Sequence, residues 1–393
     1  MLEKYLILFS YKEPMVSFVK PRYVGLDVEG PLVNPASDFA WKTYDELLSE
    51  PTKTKFPRAR CESYDERYDD FRYLYDLNKS RRHSTGMWPS LSLALAAIDG
   101  KTDDDLIALA EKTTKLNPGT DKLMNYLLEK FDRKDRKIYL ITSSHSPVGL
   151  SIAEKYGIPF KQVFTHGFQP SRKILSQKDF VSEVKERSPM AVLSEHKEKL
   201  GTFLSNYLNI CEGLGAFYDV ALHEPDKIEK VILNLSIKAL LAEHDNLFDD
   251  VNDFWLKKTL QHLFLDDEYV MGSHRKVDAM RHVCNDGRRW TYVDDGIVGA
   301  MPIDYADYGF SINMTNKHAL PFSKLNVATA DMSNLIPVYE TMLDGEFGLK
   351  TQERLDSEEL RVFTPRNIQQ DIENVIKVNR EMKNKLKDLY VSL

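Results

Sequence analysis

The sequence predicts an α/β fold built on a mostly parallel sheet, and three stretches carry that expectation. "YVGLDVEGPL" (Tyr23–Leu32) is an alternating apolar run that gathers Asp27 and Glu29 and stops at Gly30-Pro31, as a buried strand with a polar C-terminal edge does. "KIYLITSSHSPVGLSIAEKYGIP", followed by "VFTHGF", reads as strand, hydroxyl-rich turn, helix and strand. "RRWTYVDDGIVGAMPIDYADYGFSINM" repeats that order with an acidic turn. Strands alternating with helices favour parallel pairing through right-handed crossovers, so the expected architecture is a Rossmann-like sheet.

Taken in chain order, residues 1 to 14 form a loose extension before Met15, and the first strand follows. A polar, aromatic-rich helical region runs from about Asn34 to Leu116. In it, "KTDDDLIALAEKTTKL" opens with Thr102 and Asp105 in capping-box spacing and turns Leu106, Leu109 and Ala110 to one side. "NPGTDKLMNYLLEKF" has Thr120 as its cap and Met124, Leu127, Leu128 and Phe131 at helical spacing. The second strand spans Lys137–Thr142, a turn occupies Ser143 to Pro147 with Ser146 capping the next helix, and the third strand spans Val163–Phe168. Long helices then fill the chain to about residue 270, the clearest having Ile228, Val231, Ile232 and Leu235 on one stripe. Strands at Arg289–Val293, Gly309–Met314 and Asn326–Ala330 complete the core. The expected domains are a core of residues 20–33, 118–169 and 271–345, a helical cap at 34–117, a second helical insertion at 170–270, and a helical tail at 346–393. That tail sets Ile368, Ile372, Val375, Met382, Leu386, Leu389 and Leu393 in 4-3 spacing with Asn379 in the seam. Such spacing suits a homodimer through the C-terminal helix, or a terminal helix packed on its own domain.

Composition narrows the function classes. The chain has 393 residues, 42% hydrophobic and 29% charged, with a formal net charge of -7, so no overall attraction to nucleic acid or anionic lipid is expected. Cys61, Cys211 and Cys284 are far apart and form no CxxC pair, which fits a reducing cytoplasm and argues against a disulfide framework or zinc ribbon. No stretch of about 18 uncharged apolar residues exists to span a membrane. There is no HExxH pair and no Walker A loop, and the "GLG" at Gly213 to Gly215 lacks a preceding strand.

The chemistry gathers at strand ends. Asp27 and Glu29 close the first strand, Thr142 and Ser143 the second, and Asp294 and Asp295 the fourth. Carboxylates from two strands suit a hard cation such as Mg2+, hydroxyls and turn amides suit phosphate oxygens, and a lysine can balance the charge. These are the parts of a phosphoryl-transfer site. His145 lies in the second turn, where an exposed or capping role is expected. The mixed Tyr, Arg and Asp stretch "YDERYDDFRYLYDLNKSRRH" reads as an amphipathic helix or a substrate entrance.

The order of these motifs resembles the haloacid dehalogenase superfamily, above all its phosphoserine-phosphatase-like branch. "LDVEGPL" stands for the first motif, "YLITSS" for the second, Lys276 in "HRKVDAM" for the third, and "YVDDGIVGAMPI" for the fourth. The D-x-E-G-P form is also similar to archaeal phosphatase-like proteins known as hydrogenase-subunit-R-like. The resemblance implies Asp27 as nucleophile and Glu29 as acid and base, with Thr142, Ser143 and Lys276 on the phosphate. It implies Mg2+ held by Asp27, Glu29, Asp295 and Asp294, with Asp295 the direct ligand of the acidic pair. Arg275 and Lys173 are rivals for the third-motif role. Two departures stand out: Glu29 replaces the usual Asp, and Gly299 stands where an acid often follows. The expected function is Mg2+-dependent hydrolysis of a small phosphorylated metabolite through an aspartyl-phosphate. The alternative is a weak or inactive scaffold subunit that binds a partner protein.

Overall fold

The computed structural model describes residues 20–68, 71, 86, 88–131, 136–167, 182, 188–223, 235–265 and 271–391. Its centre is a seven-stranded sheet ordered β3-β2-β1-β4-β5-β6-β7. Strands β1 (Tyr23–Leu26), β2 (Lys137–His145), β3 (Val163–His166), β4 (Trp290–Asp294), β5 (Tyr308–Ile312) and β6 (Asn326–Thr329) run parallel. β7 (Leu360–Phe363) closes the edge antiparallel to β6. The protein is therefore α/β with a Rossmann-like, mostly parallel sheet. Strand order runs outward from β1 in one direction to β3 and, beginning again at β4, in the other. The carboxyl ends of β1 and β4 meet at this switch point, the place where open sheets present a crevice to ligands.

Every residue of β4 and β5 is buried, as expected for central parallel strands. Gly25 in β1 is required by its neighbour: a Cβ there would lie 2.5 Å from the Tyr292 ring, which crosses it from β4. The helices of the α/β unit are α1 (Thr120–Phe131), α2 (Ser146–Tyr156), α3 (Ser273–Val283), α4 (Ala300–Tyr305), α5 (Ile336–Asp344), α6 (Leu349–Leu355), α7 (Pro365–Gln370) and α8 (Ile372–Val391). α1 buries Leu123, Met124, Leu127 and Phe131, and α2 ends on Gly157 in the left-handed conformation (φ 65).

The described residues divide into two compact units, an α/β unit within 20–39, 110–182 and 273–391, and a helical unit within 40–109 and 188–272. The two insertions, expected as separate bodies, thus share one core. Tyr64 and Tyr68 from the first are fully covered by the second: the Tyr64 hydroxyl lies 3.2 Å from that of Tyr207, and the Tyr68 hydroxyl 3.1 Å from His244 Nε2. Each insertion alone would leave these rings wet, and pairing buries both. This also removes the start of the Tyr-Arg-Asp stretch from any substrate entrance; most of its remainder lies outside the described residues.

Several local expectations need correction. β2 continues to His145 across a register shift, so the predicted turn is partly strand, paired at its end with His166. Ser146 is the first helical residue rather than the cap, and its hydroxyl bonds to Thr165 Oγ1 (2.9 Å) and the His166 carbonyl (3.0 Å). Thr120 likewise lies inside α1, donating to the Leu32 carbonyl at 3.1 Å. The Thr102–Asp105 capping box is present, with the Thr102 amide 2.8 Å from Asp105 Oδ2 and the Asp105 amide 3.3 Å from the Thr102 hydroxyl. The tail is not wholly helical, because it contributes β7. Most of the tail's heptad seam faces its own unit, as the packed-terminal-helix alternative expects: Ile368, Val375, Asn379, Met382 and Leu386 are buried, Ile372 is half-buried and Leu389 is exposed. Ile228, Val231, Ile232, Lys173 and Leu393 lie outside the described residues.

Candidate functional site

The chain leaves β1 through a tight loop. Asp27 still donates its amide to the Val293 carbonyl of β4 (3.1 Å), and the turn then closes by amides of Leu32 and Val33 on the Val28 carbonyl at 3.0 and 2.8 Å. Gly30 takes a positive φ of 89 that a side chain would resist. Asn117 and Thr120 staple this loop from outside, the Asn117 amide group donating to the Gly30 carbonyl at 2.6 Å. The Asp27 carboxylate is therefore fixed at the switch point rather than left on a free loop.

Around it the structure gathers the residues expected from the other strand ends. Lys276 of α3, fully buried, reaches Asp27 Oδ2 at 3.1 Å and Asp294 Oδ2 at 2.7 Å. Lys276 rather than its neighbour Arg275 takes that place, and Lys173 lies outside the described residues. Asp294 also accepts from the Tyr292 hydroxyl (3.0 Å) and the Gly296 amide (3.0 Å), so this buried carboxylate is held by three donors. Asp295 is more open, with its Oδ2 2.7 Å from Lys383 Nζ on α8. The carboxylates of Asp27, Asp294 and Asp295 each offer an oxygen within 4.8 Å of the others. Glu29 lies outside this cluster: its Oε1 accepts the Phe39 amide at 2.7 Å. Of the four expected cation ligands, Glu29 is the one that does not join the group of converging carboxylate oxygens.

Burial sets the protonation here. Desolvation, followed by repulsion from Asp294, pushes the Asp27 carboxyl up to about 8 against the pull of Lys276 and the Thr142 hydroxyl. Glu29 is driven well above the ordinary carboxylate range, first by desolvation and then by Asp38, although the Phe39 amide favours its charged form. Burial opposes the charged Lys276 ammonium, but Asp27 and Asp294 outweigh it and hold its pKa above the usual lysine value.

Thr142 is fully buried beside Asp27 and accepts the Ser144 amide at 3.1 Å. Ser143 is only half-buried, whereas Ser144 is buried. His145 is not exposed: it is packed edge-on against Phe39 and His166, with ring centroids at 5.3 and 5.6 Å, and occupies the N-cap position of α2. Gly299 turns out to be a spatial requirement rather than a missing ligand, since a Cβ there would lie 2.2 Å from the Asp294 carboxyl carbon. Sequence reasoning passed over Tyr292, Ser144 and Lys383. Tyr292 had a signal, because it sits two residues before Asp294 on the same face of one strand.

Oxygen donors converging from two strands fit a hard divalent cation, and the two ammonium groups already show that the cluster attracts positive charge. The arrangement can ionise a carboxylate at a strand end, retain a proton on a second, and balance an arriving anion with lysine.

No protein-family model and no curated protein matches the chain. Among solved structures, the chain is similar to gene product AF1437 from Archaeoglobus fulgidus, with a TM-score of 0.58 and 18% identity, covering 94% of this chain and 98% of that one. At that identity the likeness establishes a shared α/β fold.

Proposed function

We propose that the protein is a phosphomonoester hydrolase of haloacid-dehalogenase type, acting on a small phosphorylated metabolite in the cytoplasm. The observation that carries this reading is the buried Lys276 ammonium bridging Asp27 and Asp294 at the switch point. A lysine so placed stabilises negative charge where a phosphoryl group would meet the β1 carboxylate. Asp27 attacks phosphorus, the bond to the leaving oxygen breaks, and Glu29 gives that oxygen its proton. Water then attacks the phosphorus of the aspartyl-phosphate, Glu29 takes the water proton, and inorganic phosphate leaves as the Asp27 carboxylate is restored. The raised pKa of Glu29 suits this duty, since a carboxyl that keeps its proton near neutral pH can act as an acid. A Mg2+ held by oxygens of Asp27, Asp295 and Asp294 would favour ionised Asp27 and neutralise charge on the phosphate. Thr142 and the amides of its turn supply hydrogen bonds to phosphate oxygens.

Cys61, Cys211 and Cys284 form no disulfide, which suits a reducing compartment, and no described helix is long and apolar enough to cross a membrane. The scaffold alternative draws on one observation, the Lys383 ammonium already paired with Asp295. A panel of phosphorylated metabolites assayed with and without Mg2+ separates the two. Hydrolysis that needs Mg2+ supports the enzyme; silence across the panel with cation bound supports the scaffold.

A further inference from the structure

Helix α8 reaches the site from beyond the strands that carry the acidic cluster. It packs on β6 and on the turn at Pro35–Ser37, and two hydrogen-bonded anchors fix it. The Asn379 amide group donates to the Met314 carbonyl (2.6 Å) and to Asn326 Oδ1 (3.0 Å), while Asn34, just after the β1 loop, donates to the Leu386 carbonyl at 2.8 Å. Lys383 lies between these anchors, and its Nζ is 2.7 Å from Asp295 Oδ2, the side chains being 22% and 16% exposed. Asp295 also packs on Gly30, where a Cβ would come within 2.1 Å of Oδ1. The carboxylate is thus clasped between the main chain of the β1 loop and an ammonium from the far end of the sequence.

We propose that Lys383 is the chain's own counter-cation at Asp295, and that a divalent cation binding the acidic cluster displaces it, so that α8 sets the cation affinity of the site. This rests on the cation-dependent reading above. The two lysines differ in a way that assigns the exchange to Lys383. Lys276 is fully buried between Asp27 and Asp294, and withdrawing it would strand charge in a dry interior. Lys383 stands at a partly wet rim, and its flexible stem can turn the ammonium to water when a doubly charged ion takes its place. A rim ion pair parts at little cost, and the dication returns more Coulomb energy to the same carboxylate.

The test is Mn2+ binding to the full-length protein at low ionic strength, followed by electron paramagnetic resonance of the free ion. Lys383→Met, which keeps the apolar stem, should bind Mn2+ about tenfold more tightly than the wild type. Lys383→Arg should stay within about threefold of wild type because the counter-charge remains. Lys387→Met, one turn further along α8 and exposed, controls for net charge and should change affinity by less than about twofold. Unchanged or weaker binding in Lys383→Met overturns the inference, as does an equal gain in Lys387→Met. If Mn2+ binds neither the wild type nor Lys383→Met, the cation-dependent reading itself falls, and the inference with it.

Discussion

Replacing Lys276 by methionine removes a charge while nearly preserving side-chain volume. The ammonium it deletes sits 3.1 Å from Asp27 and 2.7 Å from Asp294, with none of the lysine side chain exposed. Removing one partner of a buried ion pair costs about 3–5 kcal/mol, because the charges left behind have no water to receive them. The loss should depend on pH. The orphaned Asp27 carboxyl would hold its proton more tightly folded than unfolded, so the unfolded chain carries fewer protons and stability falls as pH rises. Asp27, already raised to about 8 with the lysine present, would move higher, extending this fall to more alkaline pH. Amide hydrogen exchange of peptides covering β1 and β4, measured without divalent cation and corrected for intrinsic rates, reads the stability of the α/β unit separately. Protection there should drop by roughly two to three and a half orders of magnitude, more at about pH 9 than at about pH 5.5. A loss below about 1 kcal/mol, or one that shrinks as pH rises, would refute the reasoning that Lys276 is the charged keystone of the site.

Further outcomes follow from the same geometry. Because Asp27 is raised to about 8, Mg2+ binding at pH 7 should release about 0.9 proton, falling off above that pKa; calorimetry in buffers of different ionisation enthalpy measures it. Gly299→Ala should destabilise the α/β unit by about 1–3 kcal/mol and weaken Mg2+ binding, since its methyl would enter the space of the Asp294 carboxyl; chemical denaturation and calorimetry check both. Asn379→Leu leaves the Met314 carbonyl and Asn326 without their donor, so amide exchange should show α8 losing about 1–3 kcal/mol of protection. Light scattering of the wild type should give a monomer mass, because most of the α8 seam is buried within its own unit.

Legibility in the sequence followed the range over which each signal acts. Asp27 and the Asp294–Asp295 pair close apolar strands and Thr142 follows the apolar part of β2, so local pattern located them, and the motif order brought Lys276 with them. Lys383 could not be found that way: its partner Asp295 is far along the chain, and periodicity shows only that it adjoins the buried face of α8. β7 was missed because "LRVF" offers four residues between charged helices, too few for alternation to register, and an antiparallel edge strand needs no crossover helix to announce it. The union of the two insertions depends on Tyr64, Tyr68, Tyr207 and His244 meeting across long separations, which no window of sequence displays. Gly299 read as a lost acid only because sequence does not reveal that the Asp294 side chain already fills the space.

The central claim is that the β1 carboxylate is the group that takes the phosphoryl. Acid quench of the wild-type protein within the first turnover of a labelled phosphomonoester and Mg2+, followed by peptide mapping, tests it directly. The account predicts acid-stable, hydroxylamine-sensitive label on Asp27, absent in Asp27→Asn, and with a substrate whose leaving group needs no proton, Glu29→Gln should accumulate more label because hydrolysis of the intermediate has lost its base. Label on another residue, or wild-type turnover in Asp27→Asn, would contradict it.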